Sequence, residues 1–322
     1  MRICAEVGSN WSSFEDCIKS IERAKECGAH AVKFQLFRPW DLHRCSETHH
    51  CPVGETPYLD DRWLPELHRQ AIVNEIDFMC TAFSPGGYQL INQYVDTHKI
   101  ASAELTDINI LNQVSQFRKP VYLSTAGSSM TEVRYALMSL RPCSTTIMFC
   151  VADYPSRIVD FRHLQLLKET FGPNYSYGFS DHSTDVINLP MKAKEMGCSV
   201  IEKHVNLVNA KDTPDAPHSI NADEFKLMCR YLMGETPSYE DVANQCNQQM
   251  IKMHKRRFIV TKEIPQGGEI KIGQNVDILR SKKVSDNPVM TFKHWDANGK
   301  AVNKLKIVGD TISYQDIDQE VL

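Results

Sequence analysis

The chain has 322 residues, of which 42% are hydrophobic and 24% charged, an ordinary globular composition that excludes a disordered chain. Its 36 lysines and arginines stand against 40 aspartates and glutamates, a formal net charge of -4, which takes weight from nucleic-acid binding driven by phosphate contacts. The 11 cysteines are odd in number, and Cys4, Cys27, Cys80, Cys150, Cys198 and Cys229 sit in apolar runs, the pattern of free thiols in a reducing compartment rather than of a disulfide framework.

Strand-like and helix-like segments alternate from the start. The expected strands are 2–8, 31–37, 77–83, 99–104, 120–126, 145–152, 175–181 and 200–207, with amphipathic stretches of helical spacing between them. Ser12 or Ser13 is placed to cap the first helix, Gly28 and Gly197 follow two others, and Asn221 precedes the eighth. Eight strand–helix units predict an α/β fold, a (β/α)8 TIM barrel over residues 1–235. The polar stretch 236–254 reads as a linker, and the basic run KMHKRRF at the domain boundary, 252–258, as a solvated face. Residues 255–322 return to short β-like runs with glycine turns, a small, mostly-β module too short for a large core of its own. No apolar stretch approaches the roughly 18 residues that span a membrane. The N-terminus MRICAEVG enters a strand without a signal-peptide pattern, so the expected location is cytoplasmic.

Barrel active sites lie at the C-terminal ends of the strands, and here those positions are polar where Val, Ile and Leu are expected: Glu6, Lys33, Gln35, Thr81, Lys99, Ser102, Glu104, Ser124, Ser180, His182, Glu202 and His204. Lys33 and Gln35 share one strand face, as do Ser180 and His182, and Glu202 and His204. A buried Lys or Glu costs several kcal/mol unless paired, so the set reads as functional rather than decorative. His182 and His204, on neighbouring strands, suit a divalent Mn, Fe, Co or Zn ion. Two lysines among small hydroxyls suit an anionic substrate carrying phosphate and carboxylate.

The motifs AEVGSN, GAHAVKFQLF, TAFS, HKIASAE, KPVYLSTAGS, CVADYP, GFSDHS, VIEKHV and PDAPHS, in this order, resemble the sequential signatures of the sialic acid synthase family. The resemblance covers essentially the whole chain, the tail resembling that family's antifreeze-like (SAF) domain. It implies condensation of phosphoenolpyruvate with N-acetylmannosamine or a related aldose to give a nine-carbon nonulosonic acid. By the same resemblance Lys33, Thr81, Lys99, Ser102, Ser124 and Ser180 hold phosphoenolpyruvate. His182 and His204 bind the metal, usually manganese, and Glu6, Gln35, Glu104, Tyr154 and Asp215 surround the aldehyde, the water or the sugar. It further implies a homodimer in which the small domain brings an arginine, here Arg280, over the partner's active site, with no nucleic acid and no membrane involved.

The chain departs from the family pattern in four places. Arg280 lacks the Pro-Gly that usually follows, Ala82 replaces a proline, Ala152 stands where a polar phosphoenolpyruvate-binding side chain is usual, and the run SPGGYQ differs on the helix side. The loop LHRCSETHHC crowds His43, Cys45, His49, His50 and Cys51 too closely for separated zinc knuckles. It is expected, with Trp40 and Tyr58, to face the substrate and set which aldose binds. Two rival readings remain at this point: another metal-dependent barrel enzyme acting on sugar phosphates or phosphoenolpyruvate, and a non-catalytic binding descendant.

Overall fold

The computed structural model describes residues 1–38, 41, 58–236, 238, 256–280, 297–313 and 315–317, with Arg256 and Arg280 by backbone alone. The loop around Cys45–Cys51 that is expected to set the aldose, Trp40 and most of the linker lie outside the described residues. The chain divides into two compact units, Met1–Pro237 and Ser238–Leu322.

In the first unit eight parallel strands run β1 (Arg2–Gly8), β2 (Ala31–Leu36), β3 (Asp77–Ala82), β4 (His98–Ile100), β5 (Val121–Ser124), β6 (Thr145–Cys150), β7 (Ser176–Asp181) and β8 (Val200–Asn206). They pair in sequence order, and β1 also pairs with β8, which closes the barrel; the two-residue β9 (Ile220–Asn221) pairs parallel with the end of β8. Among the described residues the outer helices are α1 (Phe14–Glu26), α2 (Leu64–Val73), α3 (Pro85–Ile91), α4 (Ile108–Phe117), α5 (Met130–Ser139), α6 (Arg162–Phe171), α7 (Asn188–Glu195) and α8 (Ala222–Leu232). The expected punctuation does its work. Ser13 caps α1, Asn221 and Glu224 form a reciprocal capping box on α8, and Gly28 and Gly197 take the left-handed conformation after α1 and α7. The fourth strand is shorter than expected. Ser102–Glu104 is a tight turn, because the Ser102 hydroxyl leaves the sheet to accept from the Ala126 amide at 3.1 Å.

Inside the barrel the side chains form two storeys. Cys4, Ala31 and Met79, with Tyr122 against them, make an apolar floor. One inward step further along the strands the residues become Glu6, Lys33, Thr81, Lys99, Ser124, Ser180, Glu202 and His204, all buried. The register aligns them: Glu6 pairs with Lys33 and His204, Gln35 with Thr81, Thr81 with Lys99, and Ser180 with Glu202. On the outer faces of β7 and β8, Lys203 and Asp181 form a fully buried ion pair at 2.7 Å, and Lys203 also reaches Ser183 and the Asp185 carbonyl.

His98 opens β4 in an apolar setting, stacked on Phe117 with Nε2 3.1 Å from Asn92 Oδ1. Burial, with Lys119 nearby, pushes its imidazole down to about 4. The unfolded chain therefore takes up this proton first. Stability is complete above about pH 6.5 and declines toward pH 4, by up to about 3 kcal/mol at 1.36 kcal/mol per pH unit. Urea unfolding at pH 7 and pH 5 is expected to show the loss, and His98→Leu to flatten it. An unchanged slope in that variant would assign the acid sensitivity elsewhere.

The second unit pairs β10 (Arg256–Val260) antiparallel with β11 (Val276–Arg280), and isolated bridges such as Ile264–Lys306 and Val302–Ile317 tie in its later segments. Phe258, Val260, Ile264, Ile270, Val276, Ala297, Val302, Ile312 and Ile317 form its core. Within it Lys306 meets Asp316 at 2.6 Å. Burial works against the Asp316 charge, but Lys306, Ser313 and Lys304 hold its carboxyl down to about 2.

Candidate active site

The C-terminal mouth of the barrel opens into a small cavity of about 60 Å³. Of the residues singled out in the sequence it is lined by Glu6, Lys33, Gln35, Thr81, Lys99, Ser102, Ser124, Tyr154, Ser180, His182 and His204. Glu104 and Asp215 do not line it, and Arg280 ends β11 in the other unit. Ala152 is exposed and also outside the lining, so its apolar methyl does not replace a wall of the cavity. Phe83, Ala101, Cys150 and Glu202 complete the wall.

Glu202 is the residue that the assignment of roles passed over, although it shares a strand face with His204. It is 3.2 Å from Lys99 and 3.7 Å from Lys33, and it accepts from the Ser180 hydroxyl at 3.0 Å. Lys33 in turn lies 2.7 Å from Glu6 and donates to Thr81 at 3.1 Å, and Gln35 donates to Glu6 at 2.6 Å. Two buried lysines are thus balanced by two buried carboxylates. Burial alone would discharge Lys33, yet Glu202 and Glu6 hold it above its ordinary value; the same lysines hold Glu202 below its own. The Ser124 hydroxyl is buried with no hydrogen-bond partner, a spare donor at the cavity wall.

On the other side of the mouth stands an aromatic cluster. The Tyr154 ring stacks on His182 at 4.1 Å and meets His218 edge-on at 5.0 Å, while His204 lies 5.4 Å from His182 and 4.8 Å from His218, ring centre to ring centre. Burial and the adjacent His204 push the His182 imidazole down to about 3, so it is neutral. Its Nδ1 points at the Val151 carbonyl, 2.8 Å away, which leaves Nε2 toward Tyr154 Oη at 3.2 Å. Asp215 lies between His204 and His218, 3.6 Å and 3.4 Å from their facing nitrogens. Burial favours its neutral form, but the two histidines and the Ser9 amide hold the carboxyl far below the usual range.

The donor set suits a divalent transition ion: clustered imidazoles, one carboxylate, and two buried imidazole nitrogens, His204 Nδ1 and His218 Nε2, without hydrogen-bond partners. Among the described residues, the group of three such side chains whose ligand atoms lie together is His204, Asp215 and His218, within 4.8 Å of one another. His218 lies in the motif PDAPHS but was given no role in the sequence reading. It falls in a turn after β8, where no strand periodicity marks it.

The NeuB family model matches residues 20–239. The chain belongs to the NeuB family. Relatives in this family include a pseudaminic acid synthase of Helicobacter pylori, 28% identical over 87% of this chain and 88% of its own length. Another is an N,N'-diacetyllegionaminic acid synthase of Campylobacter jejuni, 27% identical over 94% and 96%. Among solved structures, the N-acetylneuraminic acid synthetase of Leptospira borgpetersenii superposes with a TM-score of 0.65 at 22% identity, over 77% of this chain and 90% of that one. A Bacillus subtilis spore coat polysaccharide biosynthesis protein gives the same score at 23%, over 99% and 95%. The resemblance read from nine short motifs and the family match agree, and the barrel architecture is the one these structures share.

In this NeuB member the remaining carboxylate of interest is Glu104, on the turn after β4. Burial raises its carboxyl above the usual value, and its Oε2 is buried without a hydrogen-bond partner. Eight of the cysteines are described, all of them free thiols, and Cys150 Sγ lies 3.2 Å from Ser102 Oγ in the cavity wall. Among the described residues no helix is long and apolar enough to cross a membrane.

Proposed function

We propose that the chain condenses phosphoenolpyruvate with an N-acylated hexosamine, N-acetylmannosamine or a related aldose, and water, to give a nonulosonic acid and phosphate. The observation that carries this reading is the buried lysine pair, Lys33 and Lys99, set around Glu202 at the barrel mouth beside the histidine cluster. It is what a small dianion with both a phosphate and a carboxylate requires, next to a site for a carbonyl.

In this reading Lys33, Lys99 and the hydroxyls of Thr81, Ser102, Ser124 and Ser180 hold phosphoenolpyruvate, each charge-assisted hydrogen bond contributing about 1.5–3 kcal/mol. His182 and His204 bind a divalent ion, with manganese the family's usual one, and when bound it polarises the aldehyde of the open-chain sugar as a Lewis acid. Gln35, Tyr154 and Asp215 orient the sugar. Carbon 3 of phosphoenolpyruvate attacks the aldehyde carbon, water adds to the cationic carbon 2, and the resulting tetrahedral centre expels phosphate with cleavage of the C–O bond. Glu104 is the better proton carrier for the water, because its raised pKa suits a general base, whereas Glu6 is committed to Lys33 and Gln35.

The second unit is proposed to be an antifreeze-like domain serving a partner's active site in a homodimer through Arg280, a reading supported by its sequence resemblance. The free cysteines support a cytoplasmic location. The family match and the names of the relatives favour this reading over the two rivals.

The test is phosphate release by the purified protein with Mn2+, phosphoenolpyruvate and a panel of N-acylated hexosamines. Release that depends on one of the sugars is expected, and His204→Ala is expected to lower it at least about 100-fold. Release that ignores the sugar, or silence across the panel, overturns the proposal.

A further inference from the structure

The turn that follows β8 is built more firmly than a connecting segment needs. The Thr213 hydroxyl donates to Asn10 Oδ1 at 2.7 Å, and Asn10 Nδ2 donates to both the Ser219 hydroxyl and the Val205 carbonyl. Asp215 is held at both ends of its residue: its amide donates to the Ser9 hydroxyl, and its Oδ2 accepts from the Ser9 amide at 2.9 Å. The Ser219 hydroxyl closes the turn on the Asp215 carbonyl. All of this stitches residues 213–219 to the end of β1. What it presents to Tyr154 and His204 is one carboxylate and one imidazole.

That imidazole, His218, is buried, and its Nε2 has no hydrogen-bond partner. It lies 3.4 Å from Asp215 Oδ1, and Asp215 Oδ2 lies 3.6 Å from His204 Nδ1, a second buried nitrogen without one. Leaving two such nitrogens unsatisfied is costly, of order 1–3 kcal/mol each. An ion about 2.0–2.2 Å from each of its ligands needs those atoms roughly 3–3.5 Å apart, which the two histidine–aspartate separations nearly meet already. The largest separation in the triad is no more than 4.8 Å.

We propose that Asp215 and His218 are direct ligands of the divalent ion together with His204, so that the site adds one imidazole and one carboxylate to the strand-end pair His182 and His204. The inference rests on the functional reading above for the role of the ion, but not for its existence. A set with this extra imidazole and carboxylate favours Fe, Co or Zn more strongly than two imidazoles with oxygen ligands would.

Co2+ serves as the probe, because its visible absorption reports the ligand set without any turnover. The intact chain is titrated with Co2+ in the absence of phosphoenolpyruvate and sugar, and compared with His218→Ala, His218→Gln and Asp215→Asn. Each variant is expected to weaken Co2+ at least about tenfold and to shift the ligand-field bands, with the metal-free melting temperature of His218→Gln within a few degrees of the parent. Unchanged affinity and bands in both His218 variants would overturn the proposal and leave His218 as a packing partner of Tyr154. If His218→Ala fails to fold, the Gln variant decides. Failure of the functional reading looks different: Co2+ binds as expected while no sugar elicits phosphate.

Discussion

Lys33→Met is expected to lower the unfolding free energy by about 3–5 kcal/mol, the usual cost of stripping one partner from a buried ion pair. Lys33 faces Glu6 at 2.7 Å and Glu202 at 3.7 Å with 3% of its side chain exposed, so its loss leaves buried Glu6 without a cation and Glu202 with Lys99 alone. The double variant Lys33→Met/Glu6→Gln removes one of those charges and is expected to recover more than about 1 kcal/mol of the loss, since contacting groups are not additive. Losses that add to within about 0.5 kcal/mol would mean that the ion pair contributes little. Activity should fall as well. With one of two cations gone, the half-saturating phosphoenolpyruvate concentration is expected to rise about 10–100-fold, the equivalent of one charge-assisted bond.

Gly8→Ala is the second change with a large expected effect, and it acts without replacing a charged residue. Gly8 ends β1 with a φ of +56, and a Cβ placed there would overlap the Asp215 carboxylate, which packs directly on the glycine. The left-handed backbone costs a residue with a Cβ about 1–2 kcal/mol. The displacement of Asp215 matters more, because a misplacement of about 1 Å in a reacting site can cost 100-fold in rate. Turnover about 100-fold down, with a fall in Co2+ affinity like that of Asp215→Asn, is the expected outcome in steady-state kinetics and titration. Wild-type turnover would show that Asp215 has room to move and is not positioned by the glycine.

Much of this site was legible because a barrel strand alternates in and out with a period of two. Polar residues such as Lys33, Thr81, Ser180 and His204 break an apolar run at its C-terminal end, and that break is visible in the sequence. The pairing inside the cavity was not. Nothing in the order of residues says that Glu202 belongs to both lysines, since β2, β4 and β8 meet only when the barrel closes. His218 was illegible for another reason: a turn has no period, and its side chain acquires meaning from the Ser9 and Asn10 contacts across some two hundred residues. The choice between Glu6 and Glu104 as proton carrier likewise needed the ion pair to Lys33, which only the register of β1 against β2 creates.

The central claim is condensation with cleavage of the C–O bond of phosphoenolpyruvate, and the bridging oxygen reports it directly. Phosphoenolpyruvate carrying 18O at that position is incubated with the protein, Mn2+ and the sugar that elicits release. The expected phosphate retains the label, in amounts equal to the nonulosonic acid formed. Unlabelled phosphate, which marks P–O cleavage, would contradict the account.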